Sequence, residues 1–395
     1  MKLKIISHES TERKRLSQYY TTSSLGHYLL SLLPKNKEFK KALDLSAGEG
    51  ALINATLNFN ENIHCVGVDI DPRNVTKLSA LKNCTAFHAD STLESILKID
   101  GIFNDNYCLT LGNPPFQFIN NSVFIKSIFE KHGILYNNER VRSEVFFLFL
   151  SLTFLRKGGY LAFILPDGFF TNISHFEFRK KIAERFHILK VVEIPPSSFE
   201  GTEARTHMLI VQNSAPRDKI QLTRFDTLTK KIEITAQDFT SRADFSFYEA
   251  PTSLHSIPLG ELNIEMLRGS LKAHEKFDHL PAIHTSSLSL DGSNLFSDEI
   301  YDPRKHDYKR LAIINDIVLA RVGTRVLGRF GVVKKGVFRV TDCIIIIRCN
   351  SKNARESIVK TLGSSFGQEW LRLRAKGVGA RHIPMSELVY FPIFY

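Results

Sequence analysis

The chain has 395 residues, of which 43% are hydrophobic and 24% charged, a balance that suits a soluble globular protein long enough for two domains. No apolar run reaches the roughly 18 residues that a membrane span needs, and the opening MKLKIISHES lacks the apolar core of a secretory signal, so a cytoplasmic protein is expected. Five scattered cysteines without a CxxC pair, and histidines without HxxxH or HExxH spacing, give no sequence support for a disulfide framework or a zinc site.

The charge is unevenly placed. Residues 301–395 carry 18 Lys and Arg against 7 Asp and Glu, while residues 1–300 carry 34 of each sign, so the whole net charge of +11 sits in the last quarter. A basic segment on a neutral body points to a polyanion, with nucleic acid the first candidate; a lysine-rich solvated surface is the plainer alternative.

In chain order, a short basic lead-in precedes YYTTSSLGHYLLSLLP, which reads as a capped amphipathic helix ending near Pro34. An apolar strand over 42–45 then runs into Ser46, Ala47, Gly48, Glu49 and Gly50, with a helix from Ala51. Glycines there permit positive φ and let a ligand approach the main chain, and the helix start offers N–H groups. A second strand ends at Asp69, where a carboxylate is placed to accept from two ribose hydroxyls, while Asp71 before Pro72 reads as a helix cap. SAGEGA is not the GxGxxG of a dinucleotide-binding loop. A third strand ends at Asp90, equally readable as an N-cap or as a cofactor contact.

A fourth strand delivers Gly112 and then Asn113, Pro114, Pro115 and Phe116. Two prolines fix two φ angles, so the carbonyls here point in set directions with little entropy left to lose. The Asn113 side-chain oxygen and the Pro114 carbonyl can together accept both hydrogens of an exocyclic NH2, and Phe116 offers a face to a flat ring. Holding both hydrogens favours the pyramidal amine, whose lone pair is then available to attack. The plain alternative is a stiff strand-to-loop turn.

Asn-Pro-Pro-Phe after an apolar strand resembles the catalytic motif of DNA amino-methyltransferases, which methylate adenine N6 or, with a related motif, cytosine N4. The order of elements resembles their gamma class, with the cofactor half first, the catalytic half second and a target recognition domain last. The resemblance implies S-adenosylmethionine as cofactor, held by Thr21, Asp44, Ser46, Gly48, Gly50, Asp69, Asp90 and Asn113. It also implies catalysis by Asn113, Pro114 and Phe116. Tyr20-Thr21-Thr22 matches the segment over the cofactor's methionine part, and Asp90 falls where the family contacts the cofactor's adenine amino group. One departure stands out: Met208-Leu209-Ile210-Val211 has no aromatic to close the second face of the base pocket, leaving Phe199 or Phe169 as substitutes.

Further on, helices are expected over 123–132 and 143–155, the second ended by Gly158-Gly159, and then a fifth strand in YLAFILPDGFF. KVVEIP and HMLIVQ read as the sixth and seventh strands, and residues 215–255 as a connector with mixed strand character and polar turns. From about Ile257 the chain turns to short strands broken by Gly, Asn and Asp. IINDIVLARVGTRVLGRFGVV, TDCIIIIRC and GVGARHIPMSELVYFPI resemble the target recognition domain of type I restriction specificity subunits. Arg321, Arg325, Arg329 and Arg381 are the expected DNA contacts.

The expected fold is α/β. It consists of a Rossmann-like seven-stranded S-adenosylmethionine-dependent methyltransferase domain over 1–245 and a smaller α+β DNA target recognition domain over 246–395. The expected function is site-specific methylation of N6 of a flipped adenine in double-stranded DNA, with a cognate restriction endonuclease as a candidate partner and no nuclease fused ahead of the cofactor half. The rivals are cytosine N4 methylation, methylation of RNA or of a protein glutamine, and a non-catalytic DNA-binding specificity subunit.

Overall fold

The computed structural model describes residues 23–35, 37–102, 107–195, 205–225, 227–249, 256–271, 281–300, 302, 311–377 and 380–394. Thr21, with its neighbours Tyr20 and Thr22, and Phe199 lie outside the described residues. The chain divides into two compact units, Met1–Phe245 and Ser246–Tyr395.

In the first unit the strands are β1 (Lys41–Asp44), β2 (His64–Asp69), β3 (Cys84–His88), β4 (Tyr107–Gly112), β5 (Phe118–Asn120), β6 (Arg140–Arg142), β7 (Leu155–Pro166), β8 (His187–Ile194), β9 (Thr206–Gln212), β10 (Ile220–Arg224) and β11 (Thr227–Ile234). All but β5 and β6 form one sheet in the order β11-β10-β8-β9-β7-β4-β1-β2-β3. Strands β1, β2, β3, β4 and β7 run parallel, and β9 lies antiparallel between β7 and β8. This contains the expected Rossmann-like seven strands, with the chain reversing direction across the sheet between β1 and β4. Such a switch point opens a crevice at the carboxyl ends of the strands.

Every residue of β4 is buried, as a parallel strand covered on both faces requires. One cover is the helix Ser143–Phe154, buried along its whole length, which accounts for its apolar residues all round.

Two expectations need correction. The helix stops at Phe154, and Gly158-Gly159 lie inside β7: Leu155 already pairs with Tyr107, and the register slips before Leu109 meets Tyr160. Gly158 takes φ +78° in this irregular stretch, and a Cβ on Gly159 would sit 3.0 Å from the Tyr107 carbonyl oxygen. The strand character expected in the 215–255 connector belongs to the main sheet, because β10 pairs with β8 and β11 with β10, carrying the sheet from the expected seven strands to nine. Their short strand patterns bury Ile220 and Leu222 completely or nearly so, and that burial outweighs the polar turns around them.

The second unit is built on a five-stranded sheet in the order Ile264–Arg268, Ile344–Cys349, Ile317–Ala320, Phe330–Lys335, Ser293–Phe296. Helices Lys352–Gly363 and Ser365–Arg374 pack Ile358, Leu362, Trp370 and Leu371 into its core. Pro392–Phe394 pairs antiparallel with Ser256–Pro258, joining the two ends of the unit. Asp316, the second residue of the NDIVLAR stretch, is 1% exposed, and its two oxygens accept from Arg348 Nε at 3.0 Å and Nη2 at 2.7 Å. This part of the motif is a buried structural clasp. Among the described residues no helix is long and apolar enough to cross a membrane.

Candidate active site

The ends of β1, β2, β3 and β4 surround a cavity of about 260 Å3. Asp44, Ser46, Gly48, Asp69, Asp90 and Asn113, all cofactor candidates from the sequence, line it together. Gly50 is not in its wall but shapes the loop that is: at φ +87° it caps the helix Ala51–Phe59, and a Cβ there would lie 2.8 Å from Leu78 Cδ2. Gly48 also takes positive φ, at +56°.

Asp69 does more than face the cavity. Its Oδ2 accepts the Gly48 N–H at 2.7 Å, and its Oδ1 accepts from Asp71 N at 2.8 Å and Asn74 Nδ2 at 3.1 Å. One carboxylate therefore ties the glycine loop after β1 to the end of β2. Asp71 is the cap that the sequence indicates, accepting from Arg73 N at 2.9 Å. Asp90 holds a tight turn through Oδ1, which accepts from Thr92 N at 2.8 Å and Thr92 Oγ1 at 2.7 Å, while the residue stays in the wall. Asp90 is therefore not a helix N-cap, the following helix Glu94–Lys98 being capped at Leu93.

Asp44 is 1% exposed and accepts from Ser46 N at 3.0 Å. Burial, aided by the nearby Asp69 charge and opposed by the Ser46 hydrogen bond, pushes its carboxyl up to about 7. Four carboxylate side chains line the cavity, from Asp44, Glu49, Asp69 and Asp90, and no Lys, Arg or His does so among the described residues. Glu49 is paired with Lys77 at 2.8 Å. Leu45, Ile70 and Phe147 supply apolar wall. An acid-lined, partly apolar pocket beside a glycine loop suits a nucleoside that carries positive charge, and it does not suit a pyrophosphate.

The catalytic candidates divide. Asn113 lines the cavity at the end of β4, together with Pro115; Pro114 is buried and Phe116 half-buried, and neither is in the lining. Gly112 precedes Asn113 because β4 pairs there with Phe163 of β7, and a Cβ on residue 112 would lie 2.6 Å from that ring. The segment is further pinned by Ser143, a residue the sequence reading passed over. Its hydroxyl donates to the carbonyls of Pro115 and Gln117, and its N–H donates to Gln117 O at 2.9 Å. The available signal was a serine at the start of an apolar helix, a position where hydroxyls commonly meet backbone. Phe169 cannot close the base pocket: it is fully buried, packed on Phe170 at 5.1 Å and His175 at 5.8 Å.

In the second unit, the turn after Ile317–Ala320 carries Arg321, Arg325 and Arg329 around Gly323 and Gly328, both at positive φ, with Arg325 between the two glycines. The structure brings this turn against the loop holding Arg381: Gly323 N donates to Arg381 O at 2.8 Å, and Ile383 N to Arg321 O at 2.9 Å. The four arginines are not equivalent. Arg325 is exposed, whereas Arg321 is half-buried, its charge disfavoured by burial and by Arg268. Arg381 donates to the carbonyls of Arg372 and Ala375 at the end of the helix Ser365–Arg374, and Arg329 lies 3.5 Å from Leu288 O.

A mainly parallel sheet with the antiparallel β9 between β7 and β8, and an acid-lined pocket at its switch point, define a methyltransferase-type α/β domain. The chain belongs to the N-6 DNA methylase family, whose model matches residues 5–247. It is similar to the type II methyltransferase M.HincII of Haemophilus influenzae, 22% identical over 324 residues that cover 79% of this chain and 59% of that protein. It is also similar to M.HindII of Haemophilus influenzae, 21% identical over 336 residues, covering 79% and 60%. Among solved structures, the type IIG restriction endonuclease BpuSI matches 98% of this chain and 60% of its own, at 12% identity and a TM-score of 0.54, which is a likeness of fold. The chain thus spans about three fifths of the length of each of these proteins.

Proposed function

We propose that the chain transfers the methyl group of S-adenosylmethionine to N6 of an adenine turned out of double-stranded DNA, as a gamma-class modification enzyme. The observation that carries this reading is the presence of Asn113 in one cavity wall with Asp44, Gly48, Asp69 and Asp90. A residue able to hold an amine thereby borders the space suited to a cationic nucleoside.

S-adenosylmethionine, when bound, supplies an electrophilic methyl on a positively charged sulfur. Asp44 and the other wall carboxylates complement that charge. Asp69 is assigned to the ribose hydroxyls, through its remaining acceptor capacity, and Asp90 to the cofactor's adenine amino group. Asn113 Oδ1 and the Pro114 carbonyl accept the two hydrogens of the target NH2 and so turn its lone pair towards the methyl. Phe116 stacks on the extruded base, which cannot reach this geometry from within the helix. No general base is assigned, since the proton can leave after transfer. Residues 246–395, with the basic loops of Arg321, Arg325, Arg329 and Arg381, are assigned to target recognition, and a cognate restriction endonuclease is a candidate partner of the system.

The test is to express the chain in a methylation-free host and analyse the genomic DNA for modified bases. N6-methyladenine confined to one sequence context, and lost in Asn113→Ala, is the expected result. N4-methylcytosine, or unmodified DNA, overturns the assignment.

A further inference from the structure

Strands β5 and β6 form a two-stranded ribbon beside the Asn113 segment, with Phe118 opposite Arg142, Ile119 opposite Val141 and Asn120 opposite Arg140. Its two faces differ, as alternation demands. Val141 is buried and Ile119 lines the cofactor cavity, while Phe118 is 49% exposed on the other side. The Phe118 ring is flanked by two guanidiniums, Arg142 at 4.3 Å and Arg140 at 5.2 Å from its centroid. An exposed phenylalanine contributes little to the core, but its face holds both cations in fixed positions and reduces the entropy lost when they bind an anion.

The ribbon is braced to the catalytic segment. Ser143, directly after β6, holds the Pro115 and Gln117 carbonyls. Asn121 fixes the connection to β6 through the carbonyls of Tyr136 at 3.1 Å and Asn138 at 2.8 Å, and Tyr136 Oη donates to Arg140 O at 3.1 Å. Arg140 and Arg142, two residues apart on one strand, stand roughly 6 to 7 Å apart at their Cα atoms. That spacing is comparable to neighbouring phosphates on one strand of nucleic acid.

We propose that Phe118, Arg140 and Arg142 form a preorganised phosphate clamp for the DNA strand that carries the target nucleotide. It grips the backbone beside the extruded base, while sequence is read elsewhere. This rests on the reading that a base is delivered to Asn113. Because the clamp meets backbone alone, its contribution is independent of sequence and sensitive to salt.

The test uses the full chain with S-adenosylhomocysteine and a duplex containing the sequence found modified in cells. The dissociation constant is measured across a salt series for wild type, Arg140→Ala, Arg142→Gln and Phe118→Leu. Arg140→Ala, at an exposed position, is expected to weaken binding roughly tenfold and to lower the slope of log K against log salt by about one. Phe118→Leu is expected to weaken binding a few-fold, and S-adenosylhomocysteine affinity stays within twofold throughout, which also verifies folding. Wild-type slopes and affinities in all three variants, in a chain that still methylates DNA, overturn the clamp alone. A wild-type chain that neither binds nor methylates DNA overturns both the clamp and the function it rests on.

Discussion

The Asp69 carboxylate accepts the Gly48 N–H at 2.7 Å, so the acid at the end of one strand fixes the main chain of the loop that follows another. Asp69 is 6% exposed and serves two further donors. Asp69→Ala therefore removes the proposed ribose contact and takes away the acceptor of three N–H groups. We expect S-adenosylmethionine affinity to fall more than about tenfold and stability to fall by about 1–3 kcal/mol. Calorimetric titration and urea unfolding measure the two effects separately.

Gly50 offers a purely steric test. Gly50→Ala places a side chain at φ +87° and a Cβ 2.8 Å from Leu78 Cδ2, for an expected loss of about 1–3 kcal/mol. In the background of Leu78→Ala the contact is relieved while the backbone strain persists. The penalty for Gly50→Ala measured there by denaturation should therefore be smaller without disappearing.

Ser143 acts through the chain it holds, as a positioning residue. Ser143→Ala frees the Pro115 carbonyl, leaves Gln117 O with the residue-143 N–H alone, and lets the Asn113 segment relax. We expect kcat to fall roughly 10- to 100-fold with KM for S-adenosylmethionine little changed. A rise in that KM with kcat intact would contradict the assignment.

Asp44 should make cofactor binding sensitive to pH. Burial first, and Asp69 second, lift its folded pKa to about 7, above the unfolded value of about 3.9. Between these values the folded state keeps a proton that the unfolded state releases. The resulting stabilisation of the empty protein is present at low pH and lost as pH rises through about 7. A cationic ligand prefers the ionised acid, so affinity should rise from pH 6 to pH 8 and then level off. Glu144, also raised to about 7 by burial, adds to the stability change but does not line the cavity. Asp44→Asn should flatten the affinity profile in calorimetric titrations while leaving the Glu144 part of the stability profile.

In the second unit, Asp316→Ala removes the two charge-assisted hydrogen bonds of the buried Arg348 guanidinium, which keeps Leu311 O at 2.9 Å and the partly exposed Glu265 at 3.6 Å. An expected loss of about 3–5 kcal/mol should unfold that unit under mild denaturant. Limited proteolysis should then degrade residues 246–395 first, with S-adenosylmethionine binding retained and DNA binding lost.

Much of this protein is written in local pattern. Apolar runs ending in Asp44, Asp69, Asp90 and Asn113 identify parallel strands and the ends that line the cavity, because burial on both faces leaves the strand terminus as the place for polar groups. The glycines at 48 and 50 mark positive φ for the same local reason, and the basic last quarter is plain from counting.

What adjacency decides is not local. The bond from Gly48 to Asp69, the passage of Gly112 across the Phe163 ring, and the hold of Ser143 on Pro115 and Gln117 join residues distant in sequence. The exclusion of Phe169 and the pairing of Phe118 with two arginines likewise depend on which side chains burial takes and which it leaves out. A sequence specifies the chemistry that each residue brings, but free energy depends on distance and burial, and only the folded packing sets those.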